Sequence, residues 1–368
     1  MILKNHPKLL KILVVCIALL LVAAIAVTVL LFAFQEEPNV VSLGAAGVTQ
    51  PTFNYYLGAY KYEFLIQYKE DGLRDMGNSW RSVSSDGVRT WEERFYNEFS
   101  EFLARKIAAA ALFDNAYSLK SDSREEINDR LQSIISANGG KKATNEILAR
   151  YGCDTEDLRR AVTLDYKGAM LYQILYGTDG SGLPDGLLEE TYQKEYAHVK
   201  TVFIRTKGKL QSDGTNEAMS AEEMEEAERK IATLQAYLDD GMDEKEFLAL
   251  QEQFNEDEIA KSYPNGIYLS KESVYDEDVI EQALAMKPKQ FALVSGEYGA
   301  YLIYRMDNPV GAYAQKDNAM WFRTFIADVT EREYEKHVDR VVDDVRFDEG
   351  LFYDDLVILT PKNYEVVY

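Results

Sequence analysis

Residues 12–34 form an unbroken apolar run of 23 residues whose only polar members are Cys16 and Thr28. At about 1.5 Å per helical residue the run spans a hydrocarbon core of roughly 30 Å. Lipid offers the backbone no hydrogen-bond partner, so such a run must be helical there. Lys4, Lys8 and Lys11 precede it, and the first acid is Glu36. Positive flanks stay in the cytoplasm, which predicts a single-pass anchor with everything after residue 35 outside. A cleaved signal peptide is the competing reading. Its apolar region is usually only about 7–15 residues and is followed by small residues, whereas this run ends Phe32-Ala33-Phe34-Gln35. Cys16 follows Val14 and Val15, where a lipoprotein signal would carry a small residue.

All 62 acids and all but three of the 40 basic residues lie after residue 35, so that stretch carries a net charge of −25. Such a charge opposes binding to nucleic acid or anionic headgroups and favours solubility. Cys153 is the only cysteine beyond the apolar run. No disulfide can close within that region, and its fold rests on an apolar core.

Residues 36–51 read as a polar, β-prone stretch. Helical periodicity follows over 53–68, 91–117, 121–138, 143–151 and 155–176, with a loop at 73–87 and a serine cap expected at Ser121. Residues 177–184 read as a loop and hinge, and 187–196 as a helix. At His198 the pattern changes. A strand over 199–206 is followed by helices over 221–238 and 243–254, a turn at 264–266 and a short strand at 267–269. A helix over 276–286 and a hairpin of 291–294 with 300–305 complete the block. The whole reads as α+β with a small antiparallel sheet. A long helix is expected over 316–346, and the tail 351–368 carries apolar residues that need a partner surface. The domains expected are an anchor (1–35), a helical lobe (36–190), an α+β domain (191–309) and a C-terminal helix and tail (310–368) that returns to the helical lobe.

The three histidines stand far apart and match no metal-ligand spacing. No nucleophile elbow, phosphate loop or dinucleotide fingerprint is present.

The order of parts resembles the extracytoplasmic foldases of the PrsA and SurA type, which carry a parvulin-like prolyl isomerase domain. In the helical lobe the likeness rests on Val48-Thr49 with Phe53 and Tyr56-Leu57. It rests also on Leu148, the segment Tyr151-Gly152-Cys153-Asp154-Thr155-Glu156-Asp157-Leu158, and Arg159. In the parvulin block six segments match in order. They are Tyr196 to Ile204, Phe247, Phe254-Asn255-Glu256-Asp257, Asn265 to Leu269, Val279 to Pro288 and Tyr298 to Ile303. The resemblance implies unfolded exported polypeptides as partners and no cofactor. Parvulins share two histidines and an Asp or Cys in one polar network beneath the prolyl bond. Here the positions matching the histidines hold Phe203 and Tyr301, and Asp257 fits the third. The positions that would hold the proline ring carry Val274 or Tyr275, and Val279, with Tyr298 beside them. The pattern is thus degenerate at the active site. Four readings stay open: a foldase that holds chains with weak or lost isomerase activity, a cell-envelope protein binding one partner, an isomerase with altered site residues and, last because no nucleophile and base pair is visible, a hydrolase.

Overall fold

The computed structural model describes residues 37–177, 179–210 and 216–362. The apolar run at 12–34 lies outside the described residues, and among those described no helix is long and apolar enough to cross a membrane. The described chain is α+β, mostly helical with small antiparallel sheets. It divides into two compact units: one is made of the residues up to 172 together with those from 336 onward, the other of residues 173–335.

In the first unit, strands β1 (Val41–Leu43) and β2 (Ala46–Val48) form a hairpin. β1 also pairs with a strand from the far end of the chain, Arg346–Phe347. Helices Gln50–Gln67 and Trp91–Ala116 follow the hairpin. The second opens on a capping box in which Thr90 and Glu93 satisfy each other's backbone N–H. Its phenylalanines at positions 95 and 99, with Leu103 and Ile107, fall at helical spacing and are fully buried. They share one core with Phe53, Tyr56, Phe64 and Trp80. Most aromatic rings of this unit are therefore core. Two local expectations differ. Ser121 is the first helical residue rather than the cap, because the helix begins right after Lys120. The loop at 73–87 contains a one-turn helix, Gly77–Trp80, which carries Trp80 inward. Cys153 is buried, its thiol donates to the Pro51 carbonyl at 2.8 Å, and burial pushes its pKa up to about 12. It is a packed thiol rather than a reactive one.

The second unit is built on a four-stranded antiparallel sheet. Strand β3 is Ala197–Arg205, and a two-residue pair, β4 (Lys209–Leu210) with β5 (Asn216–Glu217), follows it. β6 is Ile267–Leu269, β7 Phe291–Ser295 and β8 Gly299–Arg305, and the sheet order is β6-β3-β8-β7. Side chains alternate across a strand, and both faces of this sheet are covered. Val202 and Ile204 pack with Leu302 and Tyr304 under helices Ala221–Asp239 and Glu244–Phe254. Val199, Phe203, Tyr301 and Ile303 point the other way, against Val279 and Ala283 of helix Glu277–Ala285. A third cluster gathers Tyr192, Tyr268, Phe322 and Phe325. That cluster explains why the helix expected from residue 316 starts only at Phe325 and ends at Val342. Residues 316–318 form a single 3-10 turn. Asn318 donates to the Ala312 carbonyl at 3.0 Å, and Phe322 turns into the aromatic cluster.

His198 lies at the edge of this cluster, its ring stacked on Tyr268 at 4.3 Å. Its ring nitrogens face the carbonyls of Asp307 (3.2 Å) and Asn265 (2.9 Å). Burial is the largest influence on its pKa and lowers it. The two carbonyls oppose that shift, and Arg305 and Lys200 add to it. The unfolded chain therefore binds this proton at a higher pH than the folded one. The stability from a neutral His198 is complete above the ordinary histidine pKa, about 6.5, and is lost as the pH falls through the lowered folded value. A urea titration is expected to show the midpoint falling between pH 7 and pH 5, and His198→Gln is expected to flatten that slope. An unchanged slope in the variant would remove His198 as its source.

Candidate functional site

The candidate site lies on the face of the sheet beneath helix Glu277–Ala285. Register pairs Phe203 of β3 directly with Tyr301 of β8. Their rings stack with centroids 4.5 Å apart, and both side chains are buried. Gly299 makes room for this stack: a Cβ there would come within 2.7 Å of Phe203 Cε2 and 2.1 Å of the Ile204 carbonyl. Tyr275 approaches Tyr301 from the side, with ring centroids 5.9 Å apart.

Asp257 sits beside this aromatic pair. It caps the short helix Glu258–Ser262, its Oδ1 accepting from the N–H groups of Ile259 (2.8 Å) and Ala260 (3.1 Å). Its Oδ2 accepts from Thr201 Oγ1 at 3.1 Å and from the Tyr275 hydroxyl. The Asp257 N–H donates to Asn255 Oδ1, which also accepts the N–H of Phe203 at 2.9 Å. The carboxylate is therefore buried with its oxygens occupied. Burial first, and the neighbouring Asp257 second, push the Tyr275 phenol far above its usual range, so that it stays neutral and donates. Tyr301 is raised too, by burial and then by Asp276 and Asp257.

Phe203, Asp257, Tyr275, Val279 and Tyr301 thus meet on one face of the sheet, with Val279 fully buried. Val274 and Tyr298 do not share that burial. Val274 is fully exposed and Tyr298 half-exposed, and Tyr298 is held at the hairpin turn, where its carbonyl accepts from Thr206. The residue that sequence reasoning missed is Thr201. It lies two positions before Phe203 on the same strand and so on the same face, a signal present in the alternation of β3. The polar network is therefore Thr201–Asp257–Tyr275, and Phe203 with Tyr301 lies beside it as a buried aromatic pair.

Chemically the arrangement is well satisfied and closed. It presents no nucleophile paired with a base, and among the described residues no cluster of histidine, cysteine and acid side chains could hold a metal. The fold of the described chain is similar to that of PrsA and SurA-like foldases. Solved structures that it resembles include PrsA from Bacillus subtilis, at 14% identity over 71% of this chain and 87% of that one, with a TM-score of 0.23. PrsA from Bacillus cereus, a peptidylprolyl isomerase, matches at 10% identity over 75% and 92%, with a TM-score of 0.33. A SurA-like chaperone structure from Campylobacter jejuni matches at 13% identity over 83% and 96%, with a TM-score of 0.22. No family model matches the chain, and none of the curated proteins does.

Proposed function

We propose that this chain is an extracytoplasmic foldase, tethered by residues 12–34, that assists the folding of exported polypeptides and whose parvulin-like unit has weak or lost isomerase activity. The observation that carries the second half is the stack of Phe203 on Tyr301 where polar residues of an isomerase site would stand. Prolyl isomerisation crosses a barrier of about 18–20 kcal/mol and needs no nucleophile. It needs a pocket that favours the twisted amide over the planar one. Here the two rings are buried against each other, so they fill the position and offer no hydrogen bond that strengthens in the twisted state. Asp257 is committed to its own helix cap, Thr201 and Tyr275.

The first half is supported by the order of parts, by the segments in which the sequence resembles PrsA and SurA-type foldases, and by the chain's acidity. A net charge of −22 keeps the protein soluble and attracts basic unfolded chains without favouring nucleic acid. The test is dilution of a chemically unfolded, proline-containing client into buffer with the full chain in detergent micelles, followed by light scattering. Stoichiometric protein is expected to suppress aggregation by at least half. Scattering equal to that of an inert acidic protein at the same concentration would sink the foldase reading.

A further inference from the structure

The first unit holds a short segment of its own chain in an unusual way. Residues 351–362 lie against helices Gln50–Gln67 and Trp91–Ala116, with Leu356 and Val357 buried in the common core. Phe352 meets Phe53 edge-on at 5.7 Å. The backbone of this strap is tied by side chains of the unit rather than by a neighbouring strand. The N–H of Val357 donates to the Tyr96 hydroxyl at 2.9 Å, and the N–H of Asp355 donates to Glu92 Oε1 at 2.9 Å. Lys61 Nζ donates to the carbonyl of Thr360 at 2.8 Å, and the Tyr151 hydroxyl donates to that of Lys362 at 3.0 Å. The Pro361 carbonyl passes over Gly58, where a Cβ would come within 2.9 Å of it. The strap turns at Asp355, which sits in the left-handed region at φ 65° and is clamped by the exposed Arg81 at 2.6 Å, and then makes a one-turn helix, Leu356–Leu359.

Side chains that bind the N–H and C=O groups of a short segment read its main chain and ignore its sequence. Apolar recesses that take Phe352, Leu356 and Val357 ask only for greasy residues at a loose spacing. Together these make a receptor for a short apolar stretch of polypeptide that takes up one helical turn. We infer that this groove is a polypeptide-binding site, filled in cis by residues 351–362, and that release of the strap opens it to an apolar segment of an unfolded chain. The inference rests on the foldase reading and specifies where a client would sit. While the strap is in place, only the open fraction of molecules binds, so the apparent affinity falls by that fraction. The strap is then an internal competitor. Its most accessible tie is the Arg81–Asp355 pair, which lies on the solvent side and leaves the groove untouched when removed.

The experiment uses the full chain in detergent micelles and a fluorescent, reduced and carboxymethylated protein as a permanently unfolded probe. Arg81→Ala and Asp355→Asn are each expected to tighten its apparent Kd by about two- to fivefold, the range set by one exposed ion pair. Hydrogen exchange at the amides of 355–360 is expected to quicken in both variants, and in the parent when probe is added. If the probe binds while those amides stay protected, and both variants match the parent, the strap is a fixed part of the core. That result overturns the inference and leaves the foldase reading standing. If the variants' strap amides exchange faster yet no form binds the probe, the groove and the foldase reading fall together.

Discussion

Replacing Asp257 with alanine is expected to destabilise the unit formed by residues 173–335 by about 3 kcal/mol. The carboxylate is buried and accepts four hydrogen bonds, from Ile259 N, Ala260 N, Thr201 and Tyr275. Loss of a helix cap costs about 1 kcal/mol. Leaving two buried hydroxyls without their acceptor adds roughly 1 kcal/mol each at the low end of the range. Helix Glu258–Ser262 would fray first, because it loses its cap and its tie to Thr201 of β3, while the Asn255 and Glu256 bonds to Phe203 lie upstream of it. Asp257→Asn keeps the shape and one acceptor oxygen, and should cost less than half as much. Hydrogen exchange at the amides of β3 and β8 reads the effect without interference from the other unit. A loss below about 1 kcal/mol in the alanine variant would mean that Asp257 is dispensable to the fold. It would return the residue to the pool of catalytic candidates.

Trp80→Ala is expected to cost the first unit about 4 kcal/mol, in the range for burying and then deleting a large aromatic side chain. Trp80 is fully buried at the end of a one-turn helix. It stacks on Phe64 at 5.9 Å and meets Phe95 edge-on at 5.6 Å. Its Nε1 donates to Asp75 Oδ1 at 3.2 Å, and the same oxygen pairs with Lys61 at 2.7 Å. Lys61 is itself buried, and burial outweighs the attraction of Asp75 and lowers its pKa. The indole lies beside this ammonium, 5.7 Å from Nζ to the ring centre. Removing it opens a cavity and leaves the buried pair with one partner fewer. Trp80→Phe should recover most of the loss, since it refills the aromatic stack and gives up only the N–H. The readout is exchange at the amides of helix Gln50–Gln67. An alanine variant within 1 kcal/mol of the parent would show that the site collapses freely around the missing ring.

Periodicity located most of the architecture, and specific residues show where it stopped. The long helices follow from spacings of three to four, and the strands β3, β6, β7 and β8 from short β-prone runs bounded by turn residues, in a sheet covered on both faces. The one-turn helix Gly77–Trp80 and the strand at Arg346–Phe347 were not legible. Each is too short to have a period, and each forms only because a distant partner, Phe64 or Val41, receives it. The start of the last long helix was misplaced for the same reason: Phe322 fits a helical pattern, yet the aromatic cluster around Tyr192 takes it first. At the candidate site the sequence marked Phe203, Asp257 and Tyr301 by position in a motif. It could not say that Asp257 would be bound by Thr201 and Tyr275 instead of by the residues at the two histidine positions. That choice is made by how helix Glu277–Ala285 and the turn before it settle on the sheet, which is tertiary information.

The measurement that tests the central claim most directly is a protease-free exchange assay on a prolyl peptide with the full chain, scanning the residue before proline. Uncatalysed exchange takes tens to hundreds of seconds at 25 °C. A unit whose site is filled by the Phe203–Tyr301 stack should leave that rate within about twofold of the uncatalysed one. An acceleration of about tenfold or more, lost on Asp257→Asn under conditions where that variant remains folded, would contradict it. The closed network would then be a working isomerase site without histidines.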